Sequence, residues 1–321
     1  YSHNHNLYNP HKIEEVGMSS DILSQYYKRK NYLTFSTGGN PRISPPQGYV
    51  KGFDRTIYRF FMPAQELIAN FLEHNIVFKN RDQFCFLQFS DVHHNLHRVP
   101  DYSVMSSLSS LELASEFDPS LEATRNRWIP ASENKKNVYR ERVRRLDNYL
   151  NIIYKHVNDN YDPADVTVCL TSDHGQSYLS EDNHWLSEAR TKAMWLLKSG
   201  DRRGCSILDY TEGVDVFNTV LNDSGIKVVD DVDGLLPVAF GGEKKRDFSF
   251  AHSIYPGQTY KAVINAEHGR YIYETLQPIK NSNDICEKKF FVKSNKKNSK
   301  FSFSDEEVRN IVVDLINRKL L

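Results

Sequence analysis

Val166-Thr-Val-Cys-Leu170, running into Thr171-Ser-Asp173-His174-Gly175, is the stretch whose reading decides the fold. Its first five residues are apolar or β-branched, the pattern of a strand buried on both faces of a parallel sheet. The next five set a carboxylate and an imidazole side by side at the strand's C-terminal tip, where open α/β sheets hold their ligands. Adjacent Asp and His side chains can both reach one divalent ion, and a glycine after them lets the backbone turn away sharply. Two readings stand open on these residues alone. One is a pair of metal ligands; the other is an Asx-type turn that caps the strand and leaves a surface histidine.

Upstream, Tyr139, Val143, Leu146, Leu150, Ile153 and Val157 recur at spacings of three and four, so a long amphipathic helix feeds this strand. Its other face carries Arg140, Arg142, Arg144 and Arg145, read as a solvated face with Glu141 and Asp147 as partners. A helix leading into a buried strand is the logic of βαβ units, and the fold expected is α/β, a mostly parallel sheet sandwiched by helices. Further strands are predicted at 32–36, 84–90 and 192–197, and helices at 22–27, 64–74 and 214–221. Proline and glycine make 41–52 a loop. Residues 103–134 lack a clear period and read as an insertion over the site or a solvated excursion.

Beyond Pro237 the pattern changes. Short β-type runs at Phe248-Ser-Phe-Ala, Tyr260-Lys-Ala-Val-Ile264, Tyr271-Ile-Tyr-Glu and Phe290-Phe-Val predict a small antiparallel sheet. Ser304 and Glu307 form a capping-box pattern ahead of a helix with an apolar stripe of Val308, Ile311, Val312, Leu315 and Ile316. The organisation expected is an α/β domain over 1–240 and a small C-terminal α+β subdomain over 241–321. Lysines 288, 289, 293, 296, 297 and 300 make the latter locally basic, which reads first as a solubilising edge and second as an anionic-glycan contact.

Composition narrows the partners. The chain has 321 residues with 41 basic and 41 acidic side chains, a formal net charge of zero, so nothing points to a nucleic acid. No apolar run is long enough to span a membrane. The four cysteines, Cys85, Cys169, Cys205 and Cys286, have neither CxxC spacing nor a disulfide framework, and Cys85 and Cys169 are read as buried strand thiols.

Strand-Thr-Ser-Asp-His-Gly resembles the second metal-binding motif of the sulfatase-like branch of the alkaline phosphatase superfamily. Other segments resemble that family in the expected order. Tyr1-Ser-His-Asn-His-Asn6 is similar to the segment just after its nucleophile helix, and Gly48-Tyr-Val-Lys-Gly-Phe-Asp54 to its Gly-Phe-Asp turn. Phe86-Leu-Gln-Phe-Ser-Asp-Val-His93-His94 resembles the strand carrying a substrate-site histidine. Residues 139–147 resemble the helix before the motif strand. Val214-Asp215-Val-Phe-Asn-Thr219, with Asp233-Gly234-Leu-Leu-Pro237, resembles the exit from the main domain.

The resemblance implies a metal-dependent hydrolase of sulfate or phosphate esters working through a covalent intermediate on a glycan or similar small molecule. Asp173 and His174 would be metal ligands for Ca, Mn or Zn, His93 and His184 catalytic, and His94 and Arg42 substrate-binding. His3 and His5 would lie near the nucleophile helix. The nucleophile and the first metal carboxylates are expected upstream of Tyr1, since no cysteine here sits in a Cys-x-Pro-x-Arg setting. The family is often exported, which favours an exported protein. The sequence also departs from sulfatases. Gly39 and Pro41 stand where those enzymes carry the sulfate-holding Lys and His of Gly-Lys-x-His, with Arg42 beside them as a substitute charge. That departure leaves room for a phosphoglycerol- or phosphoethanolamine-type transferase. A degenerate, non-catalytic relative is the third reading.

Overall fold

The computed structural model describes residues 21–40, 45, 48–59, 62–92, 133–176, 186–200, 202, 204–228, 232–253, 259–279, 284–296 and 302–320. His3, His5, Arg42, His93, His94, His97, His184 and nearly all of the 103–134 segment lie outside them. Among the described residues no helix is long and apolar enough to cross a membrane.

Helix α1 (Leu23–Arg29) leads into strand β1 (Leu33–Gly38), which pairs in parallel with β2 (Arg55–Tyr58) on one side and β3 (Gln83–Gln88) on the other. Helix α2 (Ala64–Val77) carries the chain from β2 over to β3 on the far side of β1, the crossover that strands running the same way in one sheet need. The long helix α3 (Glu133–Asn160) precedes β4 (Thr167–Thr171), and a short helix α4 (Glu188–Thr191) precedes β5 (Trp195–Ser199). Helix α5 (Asp215–Asp223) follows. Strand β2 carries no legible pattern: four residues, half-buried, placed only by the turn ahead of them.

Alternation along β1 sorts the helices to its two faces. Phe35 is fully buried and packs with Leu67, Ile68 and Phe71 of α2 and Ile153 and Val157 of α3. On the other side, Tyr26 and Tyr27 of α1 and Val220 and Leu221 of α5 enclose a second core, lined by Phe84 of β3, Cys169 of β4 and Leu197 of β5. Each such side chain buried contributes roughly 1.5–3 kcal/mol. The sandwiched parallel sheet is therefore present. Its expected extension through 166–170 differs: β4 pairs antiparallel with β5, and its residues are half-buried, with Thr171 exposed. The apolar run marks a strand, but neither its full burial nor its direction. Cys85 and Cys169 are also half-buried; desolvation nonetheless pushes both thiols up, that of Cys85 to about 12.

The Gly-Phe-Asp turn has a visible purpose. Gly52 lies at φ +77, with α1 packed where its side chain would be, and Asp54 accepts from the Thr34 backbone N–H at 3.0 Å and pairs with Lys28 at 2.6 Å. The turn thus fastens α1 and the start of β1 to β2.

Beyond α5, strands β6 (Phe248–Ser253), β7 (Thr259–Ala266), β8 (Gly269–Pro278) and β9 (Phe290–Lys296) form an antiparallel meander, with a short helix α6 (Asp284–Glu287) and a last helix α7 (Asp305–Leu320). Tyr260, Ala262, Ile264, Tyr271 and Tyr273 face α7, where Val308, Val312 and Ile316 complete a core of their own. The capping box at α7 forms as read: the Glu307 N–H donates to Ser304 Oγ at 3.2 Å and the Ser304 N–H to Glu307 Oε2 at 2.7 Å. The C-terminal core is joined to the rest through Asp215, which is 1% exposed. Its carboxylate accepts from the Leu235 N–H at 2.7 Å and the Glu212 N–H at 2.8 Å, and pairs with Arg246, just ahead of β6. Glu212 in turn accepts from the Phe250 N–H at 2.8 Å.

Removing one member of a buried ion pair leaves its partner charged and dry. Asp215→Ala is therefore expected to destabilise the protein by about 3–5 kcal/mol in urea unfolding. His74 gives a pH prediction. It is fully buried, stacked on Phe35 at 4.1 Å between centroids, with neither ring nitrogen hydrogen-bonded. Burial, helped by the nearby Arg55 charge and partly offset by Glu73, lowers its pKa from 6.5 to about 4. The unfolded chain then binds the extra proton between those values, so stability falls as pH drops from 6.5 towards 4. His74→Phe should give a shallower decline of Tm across that window.

Candidate functional site

The segment Ser172-Asp173-His174-Gly175 is held by backbone contacts on both sides. The Ser172 N–H donates to the Met194 carbonyl at 3.0 Å, and Ser172 Oγ accepts from the Met194 N–H at 2.8 Å. The Gly175 N–H donates to the Arg190 carbonyl at 2.8 Å. Asp173 and His174, between these two anchors, project from the tip of β4.

Gly175 is required for a reason other than a turn. Its φ lies outside the left-handed region, but a Cβ built on it would stand 1.9 Å from the Ala189 carbonyl oxygen and 3.0 Å from that of Lys192. The expected sharp turn is thus replaced by close approach: only a residue without a side chain lets α4 pack directly on the Asp-His pair.

The imidazole has a defined orientation. His174 Nδ1 lies 2.7 Å from the Gly175 carbonyl oxygen and so carries the hydrogen it donates there. Nε2 is then the lone-pair nitrogen, and it accepts from Arg190 Nη2 at 3.3 Å. Asp173 Oδ2 stands 3.5 Å from the same nitrogen. The carboxylate is open to solvent, 81% exposed, whereas the imidazole is 31% exposed. Asp173 Oδ1 accepts from the His174 N–H at 2.9 Å, an Asx-like contact that fixes its rotamer without occupying Oδ2.

A divalent ion would fit this donor set once Arg190 Nη2 moves off Nε2, whose single lone pair accepts from that guanidinium in this structure. A ligand histidine commonly donates its other N–H to a carbonyl, which sets the tautomer and raises basicity. Nε2 and Oδ2, 3.5 Å apart, are close enough to share one ion at ordinary bond lengths of about 2.0–2.2 Å. They are two donors of a shell needing four or more. Among the described residues no group of three His, Cys, Asp or Glu side chains converges on such a position. Of the sequence-predicted site residues, the structure describes Asp173 and His174 and brings them together. Arg42, His93, His94 and His184 fall outside the described residues.

Sequence reading missed Arg190. It lies in a stretch read only as the approach to a strand, sixteen positions beyond His174. Its one available signal was a cation shortly before the apolar run 195–197, too common a pattern to single out. Asp91, at the end of β3, was also passed over. It is 8% exposed, Oδ1 accepts from the Ala64 N–H at the start of α2 at 3.2 Å, and Arg145 lies 3.6 Å away. Desolvation raises its pKa. It caps a helix rather than facing the Asp-His pair.

No family model and no curated protein matches the sequence. Solved structures do. The lipoteichoic acid synthase LtaP from Listeria monocytogenes superposes with a TM-score of 0.61 at 14% identity, over 99% of this chain and 77% of that one. A protein in the alkaline phosphatase superfamily from Vibrio parahaemolyticus gives 0.57 at 10% identity, over 99% and 73%. The chain has an alkaline phosphatase/sulfatase-like fold. The Asp-His pair follows the last residue of β4.

Gly175→Ala tests the packing argument. The clash is with backbone carbonyls, which cannot swing away, so a loss of about 1–3 kcal/mol is expected in chemical unfolding. Amide exchange at Ser172 and Gly175 should quicken in the same variant, since α4 must back off.

Proposed function

We propose that this chain carries the metal-binding half of an ester-processing site of the alkaline phosphatase superfamily, acting on sulfate or phosphate esters through a covalent enzyme intermediate. The observation that carries the reading is the His174–Asp173 pair: an imidazole whose hydrogen is directed at a carbonyl, with its lone pair 3.5 Å from a solvent-open carboxylate. When bound, the metal gathers negative charge and polarises the ester oxygen. The chain's own residues do the rest of what is assigned here. Gly175 fixes the imidazole tautomer through its carbonyl, and Arg190 adds a positive charge at the same spot. A guanidinium beside the ligand pair, together with a divalent ion and one carboxylate, leaves net positive charge, which suits an anionic ester oxygen. His93 and His184, as catalytic histidines, and His94 and Arg42, as substrate contacts, complete the proposed site. Residues 1–240 are read as the site-bearing domain and 241–321 as its subdomain.

Transfer of a phosphoglycerol- or phosphoethanolamine-type headgroup is favoured over sulfate hydrolysis by two observations. Gly39 and Pro41 replace the sulfate-holding Lys and His, and one structural neighbour is a lipoteichoic acid synthase. Hydrolysis and transfer of one phosphate ester would share a covalent phosphoryl-enzyme and differ in whether water or an alcohol resolves it, whereas a sulfate ester would leave a sulfuryl group on the nucleophile instead.

Calorimetric titration with Mn2+, Zn2+ and Ca2+ tests the ligand assignment on the full-length protein. One ion should bind the wild type, and Asp173→Asn and His174→Gln should each weaken it by at least about 100-fold. Equal affinity in all three proteins would remove Asp173 and His174 from the metal site. Comparing nitrophenyl phosphate with nitrophenyl sulfate separates the two ester classes, and phosphate is the one expected to turn over.

A further inference from the structure

The four-stranded C-terminal sheet has two faces, and α7 covers only one of them. The other face carries Ser249, Asn265 and Arg270 in one cross-strand row, since Ser249 pairs with Asn265 and Asn265 with Arg270. The row is linked by side chains as well. Asn265 Nδ2 donates to Ser249 Oγ at 3.3 Å, and its Oδ1 accepts from Arg270 Nη1 at 2.7 Å. Arg270 is half-buried, and from this row it reaches out of its own sheet. Nη2 donates to the Leu186 carbonyl and Nη1 to Thr191 Oγ1 at 3.4 Å. Those two residues bracket α4. Thr191 Oγ1 also donates to the Ser187 carbonyl at 3.0 Å, which ties the bracket shut.

Helix α4 is the element that backs the Asp-His pair. It meets Gly175 through the Arg190 carbonyl and the Ala189 carbonyl, and it carries the guanidinium on His174 Nε2. A four-residue helix has no stability of its own. Its position must come from what holds its ends.

We propose that Arg270 is a positioning residue for the site: it clamps both ends of α4 and thereby fixes where Arg190 and Gly175 hold His174. The C-terminal sheet is then part of the site's scaffold, and its hairpin β7–β8 sets the geometry of ligands 80 to 100 positions earlier in the chain. The mechanical coupling stands on the contacts above. Its meaning for catalysis rests on reading Asp173 and His174 as metal ligands.

The test uses Arg270→Gln and the milder Arg270→Lys in the full-length protein. Lysine keeps the charge and one donor direction but cannot bridge Leu186, Thr191 and Asn265 at once. Hydrogen exchange should quicken at the Gly175 and Ser172 amides by at least about tenfold in Arg270→Gln, and by less in Arg270→Lys. The β7–β8 ladder around Val263 and Ile272 should be unchanged. Nitrogen NMR of the His174 ring should show the Nε2–H tautomer gaining population, a signature that loss of stability alone would not produce. Unchanged exchange at Gly175 with an unchanged tautomer overturns the proposal, as does acceleration spread equally over Gly175 and the ladder. Wild-type protein that binds no Mn2+ yet shows the exchange and tautomer effects upholds the clamp and sinks the metal reading instead.

Discussion

The close approach of Gly175 to the Ala189 carbonyl is the constraint on which the site depends. A Cβ there would stand 1.9 Å from a backbone oxygen, so the sequence can place α4 against the Asp-His pair only with glycine at this position. From that contact the rest follows in order. The Gly175 carbonyl takes the Nδ1 hydrogen of His174, the lone pair is left on Nε2, and Arg190 stands over it. Asp173, held by its own Asx-like contact, keeps Oδ2 toward the same space. A tautomer and a carboxylate rotamer, the two properties a ligand pair must have fixed, are both set by main-chain groups. Main-chain groups are the least costly to hold in place, because they carry no rotamer entropy of their own.

The buried Asp215 cluster and the Arg270 row divide the work of joining the C-terminal core to the rest. Asp215 takes two backbone N–H groups and a guanidinium, all inside the protein, and so fixes where the chain leaves α5 and enters β6. Arg270 contacts a carbonyl and a hydroxyl at the edge of the site. A buried ion pair contributes mainly by making alternatives costly, since separating it strands a charge. Neutral acceptors at a half-buried guanidinium bind less tightly and release more readily. The joint thus rests on a buried ion pair at the chain crossing and on a guanidinium with neutral acceptors next to α4.

How much of this could be read from the residues depends on what each signal reports. The heptad-like spacing from Tyr139 to Val157 reports a helix with one buried stripe, and Glu133–Asn160 is that helix, extended at its N-terminal end where Glu133 and Lys136 propagate it without an apolar signature. The capping box at Ser304 and Glu307 is a two-residue signal with a two-bond outcome, and it was legible in full. The run 166–170 marks a strand but neither its full burial nor its direction: Val, Cys and Leu suit a sheet whether the partner strand runs parallel or antiparallel. Strand β2 left no trace because its four residues are placed by the Asp54–Thr34 contact, a long-range hydrogen bond that no local pattern encodes. Asp173 and His174 could be singled out as adjacent ligand types at a strand end, with the capping-turn alternative left open on the residues alone. Arg190 and Arg270 could not, since their roles come from proximity in space between segments that are ordinary in sequence.

Those two arginines also bear on the proposed ester chemistry, in which either water or an alcohol would be the acceptor. The groups found at the Asp-His pair act on charge and geometry at one position, and none of them distinguishes one acceptor from another. Discrimination between acceptors requires polar groups placed to satisfy or strand a particular hydroxyl, and leaving such a group unpaired costs about 1–3 kcal/mol. Groups of that kind belong to loops over the sheet tips, where variation is tolerated, while the ligand pair belongs to a strand end locked by backbone contacts. Here the division is physical. Replacing a residue within the Gly175–Arg190–Met194 contacts shifts His174, whereas a residue in a covering loop can change with no effect on the ligand geometry. On the proposed reading, a single scaffold keeps its charge-gathering corner and changes only what it hands the ester to.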